Sequence, residues 1–302
     1  MKFLGKDPNI IDAYYTATAE GAITAGKPVI VEADGDVAQV AESVGNTLTT
    51  GTPVTHQTGQ IRNTAIAYDS NAQKIVIVYN DNDYTNYYGR AVVGTVSGTS
   101  ISFGTSVVFE SAQVADNAIA YDANAQKVVI SYRDMGNSSQ GTAIVGTVSG
   151  TSISFGSATV FETGDLYYGS ISYDSTAQKV VIAYQDGSDS EKGKAVVGTI
   201  SGTSISFGSV VQYESGGVAY PSIAYDSNAD RHVIAYRDSG NSNYGTAVVG
   251  TVSGTSISFG TPVVFESAAT EHVAIAYDSN AQKVVIAYED DDNNDYGTAI
   301  VG

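Results

Sequence analysis

The sequence predicts an all-β chain in which one antiparallel, four-stranded unit is built five times, and three observations carry that expectation. The stretch Tyr277–Tyr288 returns at Tyr68–Tyr79, Tyr121–Tyr132, Tyr173–Tyr184 and Tyr225–Tyr236, with spacings of 53, 52, 52 and 52 residues. A second block, Ser-Gly-Thr-Ser-Ile-Ser-Phe-Gly, keeps the same beat from Ser97, Ser149, Ser201 and Ser253. No window joins a helical period to a capping signal, whereas β-branched runs bounded by Gly, Asn and Asp recur throughout. Units of this length with four short strands each are the blades of a β-propeller.

Residues 1–41 stand outside the repeat. Ala13–Ala19 reads as a strand closed by a turn at Glu20-Gly21. Lys27–Glu32, Ala33–Asp36 and Val37–Val40 read as the strand, turn and strand of a hairpin. A segment of about 40 residues without disulfide or metal seldom folds alone, so it is expected to dock on another surface.

One unit reads in order in the fourth copy. Ser222–Asp226 is strand a, Ser227–Asp230 a turn, and Arg231–Tyr236 strand b. A polar loop runs from Asp238 to Gly245. Thr246–Val252 is strand c, Ser253–Ser256 a turn, and Ile257–Phe265 strand d. Glu42–Val54 aligns with Thr251–Val263, so residues 42–302 hold a whole number of repeats, cut in the middle of strand c. A solenoid would carry distinct polar caps at its ends; complementary half-units imply a ring. The expectation is a closed five-bladed propeller over 42–302, its last blade completed by the N-terminal strand, with 1–41 as a separate β-rich segment.

Composition narrows the function. The 302 residues carry 32 acidic against 14 basic side chains, a formal charge of −18, and no cysteine. Such a surface repels nucleic-acid phosphates and anionic lipid heads. Disulfides and thiolate metal sites are excluded. No segment is long and apolar enough to span a bilayer as a helix, and the start lacks the apolar core of a secretory signal. No cofactor motif, nucleophile elbow or zinc motif occurs. Near-identical repeats offer equivalent carboxylates, whereas glycoside hydrolysis needs two in unlike surroundings. A non-enzymatic protein is expected.

Antiparallel order puts turns a–b and c–d at one end of every blade and loops b–c and d–a at the other. The first pair hardly varies between repeats; the second differs in every one. Loop drift accounts for part of that contrast, because solvated loops tolerate change. The alternative is a recognition face, and its candidate residues are Tyr84, Tyr87, Tyr167, Tyr168, Tyr220, Arg133 and Arg237. Tyrosine rings beside polar groups suit sugars and protein surfaces alike. A carboxylate ring on the same face, Asp81, Asp134, Asp186, Asp238 and Asp290, either positions the b–c loops or joins the site. Tyr88, Tyr244 and Tyr296 precede strand-c glycines and read as structural.

The other carboxylate ring, Asp69, Asp122, Asp174, Asp226 and Asp278, opens the a–b turns, where Asp bonds the backbone two residues on. Asp290, Asp291, Asp292 and Asp295 form a calcium candidate, but the loop lacks EF-hand spacing and glycine and reads more simply as solvated. His56, His232 and His272 fall at three different register positions, so no shared metal site is expected.

The blocks Tyr-Asp-Ser-Asn-Ala-Gln-Lys-Val-Val-Ile-Ala-Tyr and Gly-Thr-Val-Ser-Gly-Thr-Ser-Ile-Ser-Phe-Gly-Thr-Pro-Val-Val-Phe-Glu resemble repetitive virion proteins of marine bacteriophages. Ala17–Val29 and Ala33–Val37 are similar to the opening segment of some phage structural proteins. The resemblance implies a fibre, receptor-binding or capsid decoration protein at the virion surface. Residues 1–41 would then anchor it to other virion proteins or join copies, as in a trimer. The propeller would face a host-surface glycan or protein. A cellular lectin-like adhesin and a passive decoration protein without ligand remain as alternatives.

Overall fold

In a computed structural model of the chain, the described residues are 29–31, 37–39, 50–81 and 87–302. They divide into two compact units, Met1–Gly51 and Thr52–Gly302. In the first, β1 (Val29–Val31) and β2 (Val37–Gln39) pair antiparallel with Val29 opposite Gln39, the expected hairpin. The strand expected at Ala13–Ala19 and residues 42–49 lie outside the described residues.

The second unit is all-β and antiparallel. Sheet 1 holds β3 (Ile61–Asp69), β4 (Lys74–Asp81), β5 (Tyr88–Ser97), β6 (Ser100–Phe103) and the first half of β7 (Val107–Asp122). The second half of β7 opens sheet 2, with β8 (Lys127–Asp134), β9 (Gln140–Ser149), β10 (Ser152–Phe155) and the start of β11 (Thr159–Asp174). Sheet 3 continues with β11, β12 (Lys179–Asp186), β13 (Lys192–Ser201), β14 (Ser204–Phe207) and β15 (Val211–Asp226). Sheet 4 comprises β15, β16 (Arg231–Asp238), β17 (Tyr244–Ser253), β18 (Ser256–Phe259) and β19 (Val263–Asp278). Sheet 5 comprises β19, β20 (Lys283–Asp290) and β21 (Tyr296–Val301). Among the described residues, β21 pairs with β20 alone.

Two expectations need correction. Strand d is not one strand: it is split into a four-residue piece such as β18 and the opening of a 16-residue strand such as β19. The break falls at Gly104, Gly156 and Gly208, where a Cβ would overlap the Thr151, Thr203 and Thr255 carbonyls of the next sheet's c–d turn. The d–a connections are not loops either. Each is extended chain that crosses from the last edge of one sheet to the first edge of the next. It bends at a register shift, as between Tyr167 and Ser170.

The repeated Lys-Val-Val-Ile-Ala-Tyr run is apolar at nearly every position because strand b is covered on both faces, the case in which alternation disappears. Val76, Val78, Ala91 and Val93 of sheet 1 pack on Val128, Ile130, Tyr132 and Ile144 of sheet 2. The same layering joins sheets 2 and 3, and 3 and 4. One position departs: His232 occupies the slot of Val128 and Val180. It is fully buried, with Nδ1 3.0 Å from Ser172 Oγ and Nε2 3.3 Å from Asp174 Oδ2.

Polar ties repeat with the same period. Tyr184 donates its hydroxyl to Glu162 at 2.8 Å, Tyr236 to Glu214 at 3.0 Å, and Tyr288 to Glu266 at 2.9 Å, with Tyr132 and Glu110 at 3.3 Å. Each glutamate belongs to the preceding sheet's last edge. Phe109, Phe161 and Tyr213, one residue before their glutamates, pack on the same tyrosines at 5.2–5.5 Å between ring centres. His56 takes that register position and lies 5.2 Å from Tyr79 and 5.4 Å from Phe103. The a–b turns follow expectation: Asp122 Oδ1 accepts the Asn124 and Ala125 amides at 2.9 and 2.8 Å, and the other four aspartates do the same.

Burial, and then the adjoining glutamates, push the Tyr132, Tyr184 and Tyr236 hydroxyls far above their usual range. Tyr288 is pushed up to about 12, by burial first and Glu266 second. An unfolded tyrosine loses its proton near pH 10, so above that pH the unfolded chain releases protons that the folded chain retains. Stability is therefore complete below about pH 10 and falls as the pH climbs beyond it. Urea midpoints measured from about pH 8 to 12 are expected to hold and then drop, and Tyr184→Phe is expected to flatten the drop. A midpoint that stays level across that range contradicts the coupling.

Candidate functional site

The b–c loops and the d–a crossings meet at one end of the sheets. Leu166 donates its amide to Ser139 O at 3.1 Å, Val218 to Glu191 O at 2.8 Å, and Thr270 to Asn243 O at 3.0 Å, so each crossing leans on the loop of the sheet before it. The loops end in paired left-handed residues, such as Ser138-Ser139 and Ser190-Glu191, which re-aim the chain into strand c. Where the crossing bends, a second left-handed residue recurs with the period of the repeat: Asn63, Asp116, Tyr168, Tyr220 and His272, all with φ between 48° and 51°. Asn and Asp adopt that conformation readily, whereas Tyr does so at a cost.

Three of these five bend residues build an aromatic shelf. The Tyr168 and Tyr220 ring centres are 4.8 Å apart, and Tyr220 and His272 5.1 Å apart. Tyr167 stands beside the shelf, 6.4 Å from Tyr168. The Arg133 guanidinium lies 4.1 Å over the Tyr167 ring and donates to its hydroxyl at 3.2 Å. Gly187 lies so close to the same ring that a Cβ there would overlap it. Tyr167 is thus clamped, while Tyr168 keeps 38% of its surface exposed. Arg237 sits 5.2 Å over Tyr220 and pairs through Nη1 with Glu271 Oε1 at 2.9 Å. Together Tyr167, Tyr168, Gln185, Gly187, Glu191, Ala219, Arg237 and Ser239 line a cleft of about 290 Å³.

The Asp116 carboxyl, at the bend of the preceding repeat, is raised by burial, an effect that Arg133 and the Tyr168 backbone oppose. His272 is exposed, with Nε2 3.9 Å from Glu271 and 4.0 Å from Glu289. Exposed aromatic faces ringed by donors and acceptors can stack on an apolar face and bond the polar edge of one ligand.

Of the residues singled out from sequence, Arg133, Tyr167, Tyr168, Tyr220 and Arg237 come together here. Tyr87 lies apart, its carbonyl accepting the Val114 amide at 3.1 Å, and Tyr84 is outside the described residues. The carboxylate ring is turned into the fold. Asp134 accepts the Asn137 amide at 3.1 Å and Asp186 the Ser188 amide at 2.9 Å. Asp238 accepts those of Gly240 and Asn241. Asp81 pairs with Arg90, and Asp186 also with Lys194, both at 2.6 Å. Asp290 is buried, and its side chain caps nothing. Glu289, not Asp290 or Asp292, joins Asp291 and Asp295, with carboxylate oxygens within 4.8 Å of one another. Sequence reasoning missed His272, Asp116, Gln185 and Gly187. The column of five bend residues, read down the repeats, was the signal that could have found the first two.

No known protein family matches the chain, and no curated protein does. Among solved structures, a protein of unknown function from Dyadobacter fermentans superposes with a TM-score of 0.53 at 11% identity, over 76% of this chain and 74% of that one. That likeness is one of fold alone. An exo-β-1,3-galactanase from Phanerochaete chrysosporium, solved with β-1,3-galactotriose, gives a TM-score of 0.49 at 8% identity. It covers 76% of this chain and 56% of the enzyme chain, a match too distant to bear on function. No helix among the described residues is long and apolar enough to cross a membrane.

The clamp on Tyr167 is testable. Gly187→Ala places a methyl in the ring's position, so the ring must leave the Arg133 guanidinium or the loop must shift. A loss of about 1–3 kcal/mol of stability is expected for such overpacking, with altered Tyr167 ring resonances. Unchanged stability together with unchanged resonances refutes the clamp.

Proposed function

We propose that the chain is a non-enzymatic virion surface protein whose five sheets are the blades of a closed propeller. Its variable end recognises a host-surface glycan or protein. The observation that carries the recognition role is the cleft: Tyr167, Tyr168 and Arg237, drawn from two repeats, line one exposed hollow, with Arg133 and Tyr220 packed against them. The virion setting, with residues 1–41 as anchor to virion proteins or as a trimerising segment, rests on the sequence resemblance.

Ring closure is supported by bare faces at the two ends of the run of sheets. Ile66 and Tyr68 of sheet 1 are 61% and 54% exposed. In the following sheets, by contrast, the Tyr121 and Tyr173 hydroxyls accept the Asn71 and Asn124 amides of the preceding sheet's turn. Toward the other end Val249 and Val301 are 47% and 62% exposed, whereas Val93, Val145 and Val197 at the same register position are at 0%. His56, seated on Tyr79 as Phe109 is on Tyr132, puts the chain before sheet 1 in the register of a last-edge strand. In the closed reading the sequence register of 42–54 supplies the strand that the repeat lacks after β21, which among the described residues pairs with β20 alone.

A chain beginning at residue 57 is therefore expected to melt well below one beginning at residue 42, because it loses both that strand and the His56 contact. Equal melting temperatures for the two truncations defeat the closure.

Recognition is tested with the full chain on a glycan array and on a panel of marine bacterial isolates. Arg133→Ala and Arg237→Ala are expected to weaken binding by about 2 kcal/mol, roughly 30-fold, while melting close to the parent. Substitutions in the opposite turns, Ser149→Ala or Ser152→Ala, are expected to change nothing. Binding that survives the arginine changes and fails with the turn changes puts recognition on the other end. Binding to neither array nor cells favours a passive decoration protein.

A further inference from the structure

We infer that the cleft between Tyr168 and Arg237 is a subsite for a single pyranose ring, and that the left-handed bend position is where this face sets its choice of sugar. The inference rests on the reading that the face binds a host ligand, and narrows that ligand to a glycan.

Size is the first argument. At about 290 Å³ the cleft sits at the small end of ligand sites and suits one sugar ring better than a protein loop or helix. Its chemistry is divided as a pyranose is divided. Tyr168, backed by the Tyr220 ring 4.8 Å away, offers an apolar face to the C–H face of a ring, while Gln185, Glu191, Arg237 and Ser239 stand around it with donors and acceptors for hydroxyls. A nucleotide would also stack, but Glu191 in the wall and a formal charge of −18 on the chain oppose its phosphates. The walls are also set before any ligand arrives. Tyr167 is held by Arg133 and Gly187, and Gln185 is fixed through Nε2 to Val218 O at 2.5 Å. A site ordered in advance loses less entropy on binding, which matters most for a ligand as small as one sugar.

The bend supplies the second argument. A left-handed backbone is costly for tyrosine, and Asn63 makes the same bend in sheet 1 with a residue suited to it. The fold therefore asks for the bend but not for an aromatic ring there. Tyr168 is placed where it costs backbone energy and gains a stacking face on the cleft, and Tyr220, at the same cost, packs behind it.

Asn63 also supplies the test. Tyr168→Asn keeps the bend with a residue this fold already uses, so the variant is expected to melt near the parent. The full chain is titrated by NMR with the methyl glycosides of glucose, galactose, mannose and N-acetylglucosamine. At least one is expected to shift the Tyr168, Gly187 and Ser239 amides, with an affinity of about millimolar. Tyr168→Asn should weaken it about tenfold or more, and Ser152→Ala should leave it unchanged. A glycoside that binds equally well to Tyr168→Asn lies elsewhere, and the subsite is wrong. If none shifts the cleft while the chain still binds cells through Arg237, the subsite is wrong and the recognition face survives with a protein ligand. If neither sugars nor cells are bound, both readings fall.

Discussion

The hydrogen bond from a buried tyrosine to a glutamate of the preceding sheet is the constraint on which the rest of this structure depends. Tyr184 and Glu162 illustrate it. The tyrosine lies two residues before the end of β12 and is wholly buried, so its hydroxyl must find a partner or leave a costly unpaired group. The glutamate accepts it with Oε2 and, with Oε1, takes the Gly164 amide at 2.9 Å. One carboxylate thereby fixes both how two sheets stack and how the chain leaves the last edge of a sheet. That exit leads within a few residues to the bend, and the bend aims the aromatic side chains. Packing and the geometry of the cleft share a hinge point.

Much of this was legible from sequence because it follows from period and turn chemistry. The five a–b aspartates, the b–c loops and the hairpin at Val29–Gln39 all have local causes. What was not legible depends on neighbours in space. The split of strand d arises because Gly156 meets the Thr203 carbonyl of another sheet, and nothing in its own sequence context announces that contact. The left-handed bend was hidden for a different reason: Asn63 and Asp116 signal it, but Tyr168, Tyr220 and His272 do not. Arg133 and Arg237 were found as side chains of the right kind on the right end, whereas of the carboxylate ring chosen on the same grounds Asp134, Asp186 and Asp238 bond loop amides and Asp81 pairs with Arg90.

The contrast between constant and variable ends also takes on a different meaning. The constant turns are contact surfaces: Asn71 and Asn124 bond the next sheet's tyrosines, and the c–d turns press on Gly104, Gly156 and Gly208. Their sameness is explained by packing, so it does not by itself make the variation at the other end a sign of selection. The weight of the recognition reading falls on the geometry of the cleft.

The long crossing strands have a mechanical consequence. Because β7, β11, β15 and β19 each lay one half in one sheet and the other half in the next, no sheet can be pulled away as a separate module. Each crossing strand holds rungs in two ladders at once, as β7 does with β5 and with β8. Losing any one sheet strips half of a crossing strand from its neighbour, so neighbouring sheets are expected to open together, not singly.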